Sequence, residues 1–240
     1  MQDRIYAEPQ QRVSQFAFDE AVARVFPDMI RRSVPGYTTI IPMIELISAR
    51  YAQAGTNLYD LGCSLGASTL AMRHGVKDKA CQIIGVDNSE AMLNQCRQYV
   101  QEDSASAPVE LVLGDIRQQP IENASLVTLN FTLQFLPPAD RGPLLASIYA
   151  GLQPGGVLLL SEKVCFPEPE QSLQEVLHHD FKRANGYSDL EISQKRNALE
   201  NVLITESLDT HKERLRQLGF AQVWVWYQCF NFVSMLAVKL

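Results

Sequence analysis

Along the chain, apolar and polar positions alternate first at the helical period, then in short buried runs separated by amphipathic ones, then helically again, before a closing apolar pair. Phe18, Val22, Val25, Phe26 and Ile30 recur near helical spacing, and Pro27 is expected to kink or break that helix. Residues 1–15 show no period and read as a loose arm. After the turn Ser33-Val34-Pro35-Gly36, a second helix is predicted from Ile40 to Tyr51, with Pro42 fitting its first turn.

Five apolar runs follow, each short enough to be a buried strand: Asn57 to Leu61, Cys81 to Val86, Val109 to Leu113, Leu126 to Phe131 and Val157 to Ser161. Helical patterns at Ser68 to His74, Glu90 to Gln101 and Arg141 to Gly151 lie between them, and Pro154-Gly155-Gly156 forms a firm turn before the fifth run. Alternation of this kind predicts an α/β fold with a doubly wound, mostly parallel sheet and right-handed crossovers. Gln222 to Phe230 and Asn231 to Val238 read as an antiparallel pair at the sheet edge, bringing the expected sheet to seven strands. Pro167 to Leu218 reads as helices without intervening strands. The expected plan is one unit: an N-terminal helical lid over 1–55, a core over 56–161, a helical insertion over 167–218 and a terminal strand pair over 222–240.

Composition narrows the class. The chain has 240 residues, 46% apolar and 20% charged, enough to bury a sizeable core. A net charge of −6 lacks the positive field that grips a phosphate backbone, so direct nucleic-acid binding is disfavoured. Cys63, Cys81, Cys96, Cys165 and Cys229 are odd in number, with no C-x-x-C pair and no zinc-spaced histidine, which suggests reduced thiols in a cytoplasmic setting. Met1-Gln2-Asp3-Arg4 opens no signal peptide, and the apolar run Val223 to Val238 is interrupted by Gln228, Asn231 and Ser234, as a strand pair would be and a membrane span would not.

Candidate chemistry gathers at the ends of the predicted strands. In Asp60-Leu61-Gly62-Cys63-Ser64-Leu65-Gly66 a strand enters a tight turn that opens a helix, where small residues admit a ligand close to backbone N–H groups. Asp60 would repel a pyrophosphate but tolerate the ammonium of an amino-acid-bearing nucleoside, so the loop looks like one that binds S-adenosyl-L-methionine (SAM). Asp87, about twenty residues past the glycines, suits either a contact to both ribose hydroxyls or a helix cap, a job Asn88-Ser89 could also do. Asp115 and Ile116 stand where an adenine edge would be met, and Asn130 at the carboxyl end of the fourth strand. Tyr37 fits the start of a lid or a packed core position equally well.

Arg196 shares a predicted helical face with Ile192, Leu199 and Leu203, which leaves open a snorkelling side chain, an ion pair or a functional cation. Lys182 and Arg183 read as a solvated basic spot. His178 and His179 point about 100° apart on a helix and cannot share a metal, and neither His74 nor His211 completes a site, so no metal is expected. Cys63 has no base near it in sequence and reads as a small loop residue more than as a nucleophile.

The sheet plan resembles the class I SAM-dependent methyltransferases. More narrowly, the segments Phe26-Pro27-Asp28-Met29-Ile30, Arg32 to Tyr37, Tyr59 to Ala67, Asn130 to Leu136, His179 to Tyr187 and Ile192 to Arg196 resemble the carboxy-S-adenosyl-L-methionine synthases over nearly the whole chain. That resemblance implies a cytoplasmic homodimer in which Tyr37, Gly62, Cys63, Ser64, Asp87, Asn88, Asp115, Ile116, Asn130 and Arg196 bind the nucleoside, with Arg196 recognising a carboxylate. It implies conversion of SAM and prephenate to carboxy-SAM, phenylpyruvate and water, the product serving a partner enzyme that carboxymethylates a tRNA wobble uridine. It further implies substrate-assisted chemistry: prephenate releases carbon dioxide and hydroxide as its ring aromatises, the hydroxide takes the methyl proton, and the carbanion captures the carbon dioxide. Against it stand an ordinary methyltransferase and a protein that binds SAM without turnover.

Overall fold

Two helices, α1 (Glu20–Ser33) and α2 (Tyr37–Tyr51), precede the sheet in the computed structural model, which describes residues 1–77 and 79–240. The chain then runs through β1 (Asn57–Leu61), α3 (Ala67–Val76), β2 (Gln82–Asp87), α4 (Glu90–Glu102), β3 (Val109–Leu113) and β4 (Ala124–Asn130). A short helical turn at Leu133–Phe135 leads to α5 (Pro138–Gly151) and the long β5 (Leu152–Cys165). Next come α6 (Glu170–Ala184), α7 (Asp189–Leu199), β6 (Glu206–Ser207) and α8 (Leu208–Gln217), and the chain closes with β7 (Gln222–Cys229) and β8 (Phe232–Val238).

Strand order is β3-β2-β1-β4-β5-β8-β7, parallel through the first five, with β8 antiparallel to β5 and β7 antiparallel to β8. The central strands are buried on both faces, so their residues divide by the two-residue period of a pleated strand. Tyr59, Leu61, Val127, Leu129, Leu158 and Leu160 point into the layer containing α5 residues Leu144, Leu145 and Ile148, while Leu58, Leu126, Val157 and Leu159 join the α2 and α3 residues Ile40, Ile44 and Met72. The order reverses at β1: β2 and β3 build outward on one side, and β4 returns on the other. Open α/β sheets bind ligands at such a reversal, beyond the carboxyl ends of the strands.

Several details differ from the pattern-based expectation. Of the kink or break expected at Pro27 the break does not occur: α1 continues because Val22, Val25 and Met29 remain buried on one face, and that packing outweighs the lost hydrogen bond. α2 begins at Tyr37, three residues before the predicted start, so Pro42 lies inside the helix and gives the Thr38 carbonyl no N–H. Strand five is 14 residues long instead of five, because Pro154-Gly155-Gly156 is absorbed as an irregularity between the Ala124–Leu152 and Leu126–Val157 pairings. The insertion is not free of strands: β6 pairs in parallel with Val164 and Cys165, two residues too few to leave a periodic signal.

The predicted loose arm is anchored. Asp3 is 1% exposed; its N–H donates to Asp28 Oδ2 at 2.8 Å, its carbonyl accepts from Arg32 Nη1 at 3.2 Å, and Tyr187 donates its hydroxyl to the Asp3 carboxylate. Gln194 Nε2 donates to the Tyr6 and Glu8 carbonyls, both at 2.9 Å, and α7 thereby satisfies arm backbone that has no strand partner.

Candidate active site

Beyond the carboxyl ends of β1, β2, β4 and β5, roofed by α1, α6 and α7, lies a cavity of about 1180 Å³. The turn after β1 forms one end. Gly62 adopts φ +80°, and an added Cβ would overlap the Thr132 side chain; Gly66, at φ +86°, begins α3 with its would-be Cβ 2.6 Å from Cys96 Sγ. Both positions need glycine for conformation and for room. Ser64, itself at φ 51°, donates its N–H to Asp87 Oδ2 at 2.8 Å, which ties the turn to the tip of β2.

The other Asp87 oxygen accepts from Ser89 N–H at 2.9 Å, and Ser89, not Asp87, caps α4 by accepting from Met92 N–H. Burial pushes the Asp87 carboxyl up, while the Ser89, Ser64 and Asn88 N–H groups pull it back. Asp87 lines the cavity with lone pairs to spare, as a pair of adjacent hydroxyls would require. Asn130 Nδ2 donates to Ser68 Oγ at 3.1 Å, and its Oδ1 is buried with no partner among the described residues. An orphaned acceptor in the cavity wall is the mark of a polar ligand, and this end fits an amino-acid-bearing nucleoside.

Of the sequence-derived positions, Tyr37, Gly62, Cys63, Ser64, Asp87, Asn88, Ile116, Asn130 and Arg196 all line this cavity. Asp115 does not; it accepts Arg117 Nε at 3.0 Å and Arg117 N–H at 2.9 Å, and Gly114 and Ile116 form the wall there. Hydrogen bonds from Arg117 hold the Asp115 carboxyl below its ordinary range. Asp60 lies beneath the floor, 1% exposed, accepting from Thr69 Oγ1 at 2.6 Å and Thr128 Oγ1 at 2.9 Å. Burial raises its carboxyl to about 6 against the pull of those two hydroxyls. Tyr37 packs on the α2–α3 layer and also lines the cavity. The Cys63 thiol is pushed up by the neighbouring Cys96 thiol and by burial, so it stays protonated at neutral pH.

The opposite end is cationic, which the sequence did not disclose. Lys163 from β5, Lys182 from α6 and Lys195 and Arg196 from α7 all line it. Lys182 is 7% exposed, so it is no solvated spot; only Arg183 behaves that way, pairing on the surface with Asp180 and Asp189. The residue one turn before Lys182 on α6 is His178, also buried, and that i, i+4 spacing was the available clue. His178 Nε2 donates to the Ser33 carbonyl at 2.8 Å, and burial, reinforced by Lys182 and Lys163, lowers its pKa to about 2.

Arg196 is not on an apolar stripe. α7 ends at Leu199, its buried positions are Ile192, Gln194, Lys195 and Ala198, and the Arg196 side chain is 65% exposed along the cavity wall, 3.8 Å from Glu175. Among the described residues, no three His, Cys, Asp or Glu side chains converge as a metal site.

The family pattern described as "Methyltransferase domain" matches residues 58–156. The carboxy-S-adenosyl-L-methionine synthase of Marinobacter nauticus is 61% identical over 99% of this chain and 95% of its own length. Proteins of the same name from Geobacter metallireducens (59%) and Aliivibrio fischeri (56%) match over 99% of this chain and 98% of theirs. Among solved structures, an O-methyltransferase family protein from Burkholderia thailandensis superposes with TM-score 0.64 at 14% identity, over 95% of this chain and 65% of that one. Human N-acetylserotonin methyltransferase in complex with SAM gives 0.59 at 18% identity, over 92% and 55%. At such identities these two establish the fold, and the chain spans a little over half to about two-thirds of their length.

Proposed function

The chain belongs to the carboxy-S-adenosyl-L-methionine synthase family, and from that premise we propose that it converts SAM and prephenate to carboxy-SAM, phenylpyruvate and water. The atoms balance. Prephenate gives up its ring carboxyl as carbon dioxide and its ring hydroxyl as hydroxide, which leaves as water with a proton from the SAM methyl; the carbon dioxide becomes the new carboxyl on that carbon.

The observation that carries this reading is the polarity of the cavity: an acidic, N–H-rich cradle around Asp87 at one end and four cationic side chains at the other. A neutral or cationic methyl acceptor would not account for that cationic end, whereas a dicarboxylate does. On this reading Asp87 takes the ribose hydroxyls, Asn130 Oδ1 takes a polar group near the sulfonium, and Tyr37 closes over the nucleoside. Arg196, with its planar fork, binds the carboxylate being formed. No side-chain base is invoked. His178, with a pKa of about 2, is far too weak a base to take a proton from a carbon acid, so the leaving hydroxide does so. The protein's contribution is to hold the reactants in line, keep water away and balance charge.

We further propose a cytoplasmic homodimer whose product passes to a tRNA carboxymethyltransferase for wobble-uridine modification, without direct nucleic-acid contact by this chain. Among the described residues no helix is long and apolar enough to cross a membrane. The test is incubation of the purified protein with SAM and prephenate, followed by mass spectrometry. Carboxy-SAM and phenylpyruvate in equal amounts support the proposal; methyl transfer with no prephenate-dependent product makes it an ordinary methyltransferase, and SAM retained unchanged makes it a binding protein.

A further inference from the structure

Three lysines reach the cationic end, and they are not alike. Lys195 has an internal explanation: Nζ donates to Ser33 Oγ at 2.9 Å and lies 3.7 Å from the Asp3 carboxylate. Lys182, although 7% exposed, and the half-buried Lys163 have no hydrogen-bond or ion-pair partner for Nζ among the described residues. They come from different elements, α6 and the far end of β5, and both line the same cavity. Burying an unpaired ammonium is costly, and two sharing one wall cost more because each repels the other. Burial first, then Lys163, lowers Lys182 in keeping with this. Of the acids in the same cavity lining, Glu175 leans on Arg196 at 3.8 Å and is itself 38% exposed.

We infer that Lys163 and Lys182 form an anion subsite, distinct from Arg196, that binds the 2-oxo acid carboxylate of the second substrate and thereby turns its ring carboxyl toward Arg196 and the SAM methyl. The inference rests on the reaction proposed above and assigns that substrate's orientation. A dicarboxylate held at both ends can deliver only one carboxyl to the methyl carbon. The carboxyl on Lys163 and Lys182 is the one phenylpyruvate keeps, so the product retains this contact until it leaves.

The experiment combines thermal melting, SAM titration and steady-state kinetics on Lys182→Met, Lys163→Met and Lys182→Arg. Each methionine variant is expected to raise KM for prephenate about 10- to 100-fold, the effect of a lost charge-assisted hydrogen bond, and to weaken phenylpyruvate binding to the SAM-loaded protein comparably. SAM affinity should stay within about twofold. Lys182→Met should also raise Tm, because it removes an uncompensated buried charge, and Lys182→Arg should recover most of the prephenate KM. An unchanged prephenate KM, an equal loss of SAM and prephenate affinity, or a lower Tm with no selective loss of prephenate would each overturn the subsite. Should wild-type protein form no carboxy-SAM while phenylpyruvate still binds in a Lys182-dependent way, the proposed reaction fails and the subsite stands; turnover with a lysine-independent KM gives the reverse.

Discussion

Ser64 gives its backbone N–H to the Asp87 carboxylate at 2.8 Å, so the turn after β1 and the tip of β2 are one rigid unit before any ligand arrives. A carboxylate that positions the turn and also faces the cavity couples nucleoside affinity to loop geometry. In Asp87→Asn one amide oxygen must replace two carboxylate oxygens, and the charge is lost. SAM affinity should fall about 10- to 100-fold by calorimetry, with prephenate KM at saturating SAM nearly unchanged; an unaltered SAM affinity would remove Asp87 from the nucleoside site.

Gly62 is held at φ +80° against Thr132. Gly62→Ala should destabilise the protein by about 1–3 kcal/mol and abolish SAM retention, since backbone strain and steric overlap add. Adding Thr132→Ala should restore part of the stability by relieving the overlap, and the remainder measures the cost of the positive φ. The pair is read by denaturant unfolding as a double-mutant cycle.

Arg196 faces the cavity with its side chain largely exposed and only a 3.8 Å contact to Glu175, so replacing it leaves no buried charge behind. Arg196→Ala should leave Tm nearly unchanged and weaken binding of carboxy-SAM about 10- to 100-fold more than that of SAM. Titration of both ligands against the variant decides it: equal losses would reject a role in carboxylate recognition.

Lys182 is lowered to about 7 by burial and by Lys163, Lys195 and Arg196. His178, His179, Glu175 and Glu200 also line this cavity; burial lowers both histidines, and Glu175 pulls Lys163 and His179 the other way. An anion needs the ammonium form, which is present below that pKa and lost above it. KM for prephenate should therefore be lowest below about pH 7 and rise by up to about tenfold per pH unit above it, a rise missing from Lys182→Met. Stability moves the opposite way. Between about 7 and the ordinary lysine value of 10.5 the unfolded chain holds a proton that the folded chain does not, so this group's contribution to stability grows with pH across that window.

Arg141 is fully buried and donates to Glu206 Oε2 at 2.6 Å and to the carbonyls of Leu136 and Ile204, joining α5 to β6. Burial alone would raise the Glu206 carboxyl, but Arg214 and Arg141 together hold it near 2. Its stabilising effect is present above the ordinary value of 4.5 and disappears as pH falls toward 2. Glu206→Gln should lower stability at neutral pH by up to about 3–5 kcal/mol, because it removes the carboxylate bonded to Arg141 and leaves only the buried Glu162 carboxyl beside it, and should flatten that part of the acid transition in a pH series of melting curves.

The parts of this molecule that could be read in advance are those where one local signal acts alone. The short, continuously apolar runs of β1 and β4, the glycines of the turn and the acid at the end of β2 each follow from the residue types of a few neighbouring positions. Where tertiary packing overrides a local preference, the reading fell short: α1 does not break at Pro27, the kink being the alternative left, and Pro42 sits inside α2 instead of in its first turn, because the buried faces of the two helices outweigh a missing N–H. The two residues of β6 form a strand only because β5 overruns its predicted end. Lys182 and Asp3 were misread for one shared reason. A charged side chain looks the same in sequence whether it faces water or a cavity wall built by elements far away in the chain.

Asp3 touches α1 through Arg32 and Asp28, the α6–α7 junction through Tyr187 and α7 through Lys195. A single residue near the amino terminus, through its backbone on one side and its carboxyl on the other, thus clasps the roof over the cationic half of the cavity, and the rigidity of that roof is set by residues that touch no substrate. Trimming those first residues would leave the nucleoside cradle whole while unfastening the wall that decides which acid is admitted.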